Sequence, residues 1–205
     1  MFEDLPSLSP VQFFGISADC LFCPKGRLKK EKQFLLPPTT ELLSEESFAD
    51  LYAAWNFEKL LFLAVVEGEP VEGSSVELFL DTRDLKSKGV ISRFCHHFIF
   101  QPVQVGGFYG REITRFRGED VHRLCHPEDL SITPTLKKGS YTLEIEIPAQ
   151  CLTGFDPMSF SRLGFTYRIN RPNAPSQHFA VSSEEYVIEQ HPATWGTLKL
   201  VKEND

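Results

Sequence analysis

The 205-residue chain is 41% hydrophobic and 24% charged, with a formal net charge of −7, the balance of a globular domain large enough to bury its own core. Acids outnumber bases and the one basic stretch, KGRLKKEK, is short, which argues against a nucleic-acid partner, because neutralising phosphates takes a concentrated Lys/Arg face. The longest apolar run, 60–66, is far too short to span a bilayer, and MFEDLPSLSP has acids where an export signal needs bases, so membrane insertion is not expected.

In chain order, residues 1–40 read as irregular, punctuated by Pro6, Pro10, Pro24, Pro37 and Pro38. ELLSEESF offers a short helix capped by Ser44 or Ser47. LYAAWNFEKLLFLAVVEGEP then reads as two strands joined by a turn at Asn56 to Lys59, and SSVELFLDT as a third. RFCHHFIFQPV is a fourth, ending near Gly106 and Gly107. EITRFR suggests a fifth, while HPEDLSITP looks like loop. SYTLEIEIP alternates cleanly, PAQCLTGFDP is a turn or short helix, and RLGFTYRIN and TWGTLKLVK close the set. Many short strands, regular turns and almost no helix predict an all-β fold, an antiparallel β-sandwich. One domain covers 1–205, with an extension over 1–47, bearing short strands, packed on a core over 48–202.

Side chains alternate along a strand. Val76, Leu78 and Leu80 therefore face one way, and Glu77, Phe79 and Asp81 the other. In RFCHHFIF, Phe94, His96, Phe98 and Phe100 oppose Cys95, His97 and Ile99. In GFTYRIN, Thr166, Arg168 and Asn170 oppose Phe165, Tyr167 and Ile169. If these strands are neighbours, Glu77, His97 and Arg168 converge. The competing reading is a sheet face that is simply wet.

The order WNFEKLLFLAVV, SSVELFLDTRD, GFTYRIN, HPATWGTLKLVK resembles the family 9 carbohydrate-binding modules and the broader DOMON-like sandwiches, over roughly 48–202. The resemblance implies a non-catalytic antiparallel immunoglobulin-like β-sandwich of jelly-roll-like form, a saccharide ligand and structural calcium. By position it makes Glu77 a sugar contact, with His97, or Cys95 in its stead, on the next strand, Arg168 and Asn170 on the GFTYRIN strand, and Glu189 at the margin. The family's pair of sugar-stacking aromatics is not matched. EGEPVEGSS has none, Trp55 and Trp195 read as core, and Tyr186 is the aromatic left near the site. The alternative is a protein-interaction or structural module that has lost sugar binding.

Other chemistry is thin. Cys20 and Cys23 form a C-x-x-C, but their spacing to Cys95-His96 and Cys125-His126 matches no standard zinc module. Five Cys, an odd number, favours reduced thiols and a cytoplasmic protein. His96, among phenylalanines, reads as a satisfied core histidine. His122 and His126 would share a helix face, but the residues after them favour a loop. No nucleophile motif or phosphate loop is present. Glu77 and Asp81 lie about 13 Å apart by strand rise, too far for a glycosidase pair. No enzyme is expected.

Overall fold

The structure, a computed structural model, describes residues 15–86, 89–184 and 186–202. Eleven strands are present: β1 (Ser17–Phe22), β2 (Ala49–Trp55), β3 (Lys59–Glu67), β4 (Ser75–Asp81), β5 (Cys95–Val105), β6 (Phe108–Glu112), β7 (Ser131–Lys137), β8 (Ser140–Pro148), β9 (Arg162–Asn170), β10 (Gln177–His178) and β11 (Gly196–Val201). They form one nearly closed sheet in the order β6-β5-β4-β9-β11-β1-β2-β3-β8-β7, with β10 paired to β9 off that path. The path curls back on itself, so that β5 packs against β7 and β8. All pairings are antiparallel except those of β1, which runs parallel to both β11 and β2. The fold is all-β, with one α-helical turn, Thr40–Leu43, and five short 3-10 turns among the described residues. No helix there is long and apolar enough to cross a membrane.

The main core lies inside the curl. Val76, Leu78 and Leu80 of β4 meet Phe98 and Phe100 of β5, Phe62 of β3, Ile145 and Ile147 of β8, and Phe165 of β9. Two smaller clusters pack on the outside. Residues 23–35 cover Tyr52, Leu61 and Leu63. The segment around Val181, Ile188 and Trp195 covers Phe79 and Cys95. Strands buried on both faces lose polar alternation and read as continuous apolar runs, which accounts for LLFLAVV and for a β4 that is buried at every position. The wet-face reading therefore fails for β4, because the 179–195 segment shields its outer side.

Several elements differ from the sequence reading. Residues 1–40 are not uniformly irregular, since β1 lies between β11 and β2. Ser44 ends the helical turn rather than starting one; its φ of 55° puts it in the left-handed region. Residues 113–117 are not a strand. The β5–β6 hairpin turns on Gly106 and Gly107, whose φ of 65° and 90° demand glycine, so its second arm begins at Phe108. Ser131 to Pro134 belong to a strand, β7, instead of a loop. β7 pairs only with β8, and such an edge tolerates Pro134 and exposed polar residues that weaken a strand signal. Finally, Cys125 and Cys151 are joined in a disulfide, with Cα atoms 4.9 Å apart, and Cys20, Cys23 and Cys95 are buried free thiols.

Candidate functional site

β4 lies between β5 and β9, and the register places Glu77 opposite both Ile99 and Arg168, and His97 opposite Phe79. This brings the predicted residues together. Glu77 Oε1 accepts from Arg168 Nε at 3.1 Å and from Asn170 Nδ2 at 2.6 Å; Oε2 accepts from Arg168 Nη2 at 2.8 Å and from His97 Nε2 at 2.6 Å. Arg168 Nη2 also meets Glu189 Oε1 at 2.7 Å. Asn170 donates to Ser75 Oγ and accepts from Ser176 Oγ. The His97 ring stacks on Phe79, with centroids 4.1 Å apart, and Phe79 abuts Trp195.

Burial alone would raise the Glu77 carboxyl, but hydrogen bonds from His97 and Arg168, with the charge of Arg168, outweigh it and hold the pKa at about 2. Glu77 is thus a fixed anion whose two oxygens each already accept two hydrogen bonds. It orders the side chains around it more than it offers free acceptors.

Above this network opens a cavity of about 720 Å³, lined by Glu77, His97, Arg168 and Glu189, by the apolar Ile99, Ile113, Phe116 and Val187, and by Arg115, Arg117 and Gln190. Asn170 supports the floor and is not part of the lining. Cys95, the alternative to His97, is buried against Phe79 and Trp195. Trp55 and Trp195 are each 3% exposed, so both are core as expected. The aromatic in the wall is Phe116, which sequence reasoning missed. RFR looked like a strand of alternating exposure, and only the end of β6 at Glu112 swings Phe116 to the cavity.

A second polar cluster lies on the other face of β5. Glu112 Oε1 accepts from His96 Nδ1 at 2.9 Å, His122 Nε2 at 2.8 Å and Thr114 Oγ1 at 2.7 Å, while Oε2 accepts from the Cys125 amide. Burial raises this carboxyl, and the bonds from His122 and His96 reverse that and hold it at about 2. His96 is a core histidine, as read from its neighbours, although its Nε2 lacks a hydrogen-bond partner.

Calcium takes six to eight oxygen ligands, carboxylates prominent among them. The two groups with metal-ligand spacing, His96/Glu112/His122 and Cys125/Asp129/Cys151, each offer a single carboxylate beside nitrogen or sulfur. Asp81 accepts the amides of Arg83 and Leu85 and so shapes the turn that ends β4. The exposed Lys86 ammonium meets the carbonyl of Gly196 and the carboxylate of Asp84 at 2.7 and 2.8 Å. Cys20 belongs to the main core and Cys23 to an outer cluster, so the C-x-x-C presents no paired thiolates.

No family profile matches the sequence, and a search of curated proteins finds no significant match. Solved structures do match. A family 9 carbohydrate-binding module from Caldicellulosiruptor kristjanssonii, in complex with cellotriose, superposes with a TM-score of 0.61 at 15% identity, over 93% of this chain and 96% of the module. The chain has a family 9 carbohydrate-binding-module fold. A family 9 module from the same organism in complex with glucose gives 0.62 at 14% identity, over 93% and 98%. A candidate carbohydrate-binding protein from Bacteroides uniformis gives 0.54 at 11% identity, over 91% and 100%. At these identities the family 9 fold is common ground, and the side chains lining the cavity have to be read from this chain itself.

Proposed function

We propose that the protein is a non-catalytic saccharide-binding module whose ligand sits in the cavity over Glu77. We further read the curled sheet as two facing layers of a jelly-roll-like, immunoglobulin-like sandwich, with the cavity outside one layer. The observation that carries the proposal is the composition of the cavity. A pyranose has apolar C–H faces and a polar rim, and it needs both kinds of surface within one concavity. Phe116, Val187, Ile99 and Ile113 supply the first, and His97, Arg168, Glu189 and Gln190 the second. The floor is rigid before any ligand arrives, because Arg168 is held by two carboxylates and His97 by one; preorganisation lowers the entropic cost of binding. That structural neighbours hold cellotriose and glucose supports the same reading.

One arrangement elsewhere bears on catalysis. Glu45 Oε1, His178 Nδ1, His178 Nε2 and Ser183 Oγ form a relay with contacts of 2.6 and 2.7 Å, the order of a serine nucleophile with its base. The Ser183 amide also points at His178 Nε2, at 3.3 Å, so a donor useful for stabilising an oxyanion is turned to the ring. With Glu45 Oε2 accepting the His178 amide, the relay reads as a clasp anchoring the 179–195 segment to β10.

Calorimetric titration of a glycan panel tests the proposal, with Phe116→Ala and Glu189→Ala chosen because both sit on the wall rather than in the core. Each is expected to weaken saccharide binding by about tenfold, the scale of one stacked or charge-assisted contact. Saccharide binding that neither variant alters would place the ligand elsewhere. A protein captured through this face by a chain that binds no glycan would favour the interaction module.

A further inference from the structure

The chain is acidic overall, at −7, yet three of its arginines line one cavity. Their partners are unequal. Arg168 is neutralised from below by Glu77 and from the side by Glu189. Arg117 hydrogen-bonds the neutral amide of Gln190. Arg115 makes no ion pair among the described residues and is exposed. The lining therefore holds three guanidinium groups against two carboxylates, a surplus of one positive charge among these five groups. One of the two carboxylates is sequestered at the floor, where Glu77 is 5% exposed and its oxygens are occupied, and the other, Glu189, is paired with Arg168 on the wall. The positive charge stands at the mouth. The nearby acids do not reverse this: Asp120 pairs with Arg93, and neither it nor Glu119 lines the cavity.

Resting on the saccharide reading above, we propose that the ligand is an acidic saccharide, whose carboxylate or sulfate group is received by Arg115 and Arg117 while its ring packs on Phe116. Guanidinium groups match planar or tetrahedral oxyanions through paired N–H donors and are weakly hydrated for their charge. Placing Arg115 and Arg117 on either side of Phe116 in sequence sets anion recognition beside the apolar platform. A neutral sugar would gain nothing from the exposed Arg115 charge, whereas an anionic group would pair with it, so the mouth favours an acidic ligand while the floor, already saturated, supplies shape.

The test is titration calorimetry of the full chain with a trigalacturonate, a sulfated disaccharide and a neutral trisaccharide, for the wild type and Arg115→Gln/Arg117→Gln. The acidic sugar is expected to bind at least about tenfold more tightly than the neutral one and to weaken between about 50 and about 300 mM salt. In the double variant the ratio of acidic to neutral affinity should fall to about one. The trigalacturonate and the sulfated sugar distinguish carboxylate from sulfate as the recognised group. Binding of neutral sugar as tight as acidic sugar, dependent on Phe116, would overturn this inference and leave the saccharide reading intact. An acidic preference that survives the double variant would also overturn it. Failure of all three sugars to bind would remove both.

Discussion

At the scale of single residues, the protein holds two buried carboxylates ionised by surrounding them with donors. Glu77 and Glu112 both lie well below the pKa of about 4.3 of an exposed glutamate, near 2. A lowered folded-state pKa stabilises the fold fully above the unfolded value, and that stability is lost as pH falls through the folded one. Each carboxylate is therefore expected to contribute on the order of 3 kcal/mol near neutral pH, lost between about pH 4.5 and pH 2. Asp81 runs the other way, since burial raises its carboxyl more than the Arg83 and Leu85 amides lower it. Urea unfolding followed across that window checks the sum. Glu77→Gln and Glu112→Gln should each lower the midpoint at pH 7 and flatten the acid limb; an unchanged limb in both would show that other groups govern acid unfolding. Glu77→Ala is expected to be worse, by about 1–3 kcal/mol, because it leaves the His97 and Asn170 donors without their acceptor and Arg168 with Glu189 alone.

At the scale of elements, the β5–β6 hairpin shows packing deciding a position that propensity leaves open. Gly110 sits in β6 opposite Phe100. A Cβ there would lie 2.5 Å from Phe100 Cδ1 and 3.1 Å from Ile132 Cδ1. Phe100 is fully buried and has no room to yield. Gly110→Ala is thus expected to destabilise by about 1–3 kcal/mol, the usual cost of overpacking, despite the better strand propensity of alanine. A urea midpoint equal to wild type would mean that the hairpin shifts freely. The same hairpin shows where pattern reading slipped. Once β6 began at Phe108, the Arg-Phe-Arg stretch fell beyond the strand and became wall. β7 escaped notice because an edge strand keeps polar residues and a proline that a central strand rejects.

At the scale of the whole molecule, β1 joins two sets of strands. It pairs with β11 over Ser17 to Leu21 and with β2 at Leu21 and Phe22, in parallel on both sides. β4, β5, β6 and β9 reach β2, β3, β7 and β8 along the sheet only through β11 and β1. Cys20, fully buried in the main core, sits in this strand. Deletion through Phe22 would expose two long edges and open the core between them. The truncated chain is expected to lose cooperative thermal unfolding by circular dichroism; a sharp transition near the wild-type temperature would show that the remaining sheet closes without β1.

Much of this was legible in the sequence. Short apolar or alternating runs bounded by turn residues placed β2 to β5, β8, β9 and β11, since such local patterns depend only on near neighbours in the chain. It also sorted Glu77, His97 and Arg168 onto coherent faces, and the structure brings those faces together. The sequence could not show that the outer face of β4 is buried, because its cover comes from residues a hundred positions away, around Ile188 and Trp195. Nor could it show that β1 is internal, that Cys125 meets Cys151, or that Phe116 belongs to the cavity wall. Each depends on long-range pairing or on where a strand stops, and a local pattern carries no record of either. The sequence by itself determined most of the central strands and the polar face; only the tertiary structure decided where β1, β6 and β7 lie, what covers that face and what leaves its cavity open, because pairing and burial are properties of distant neighbours.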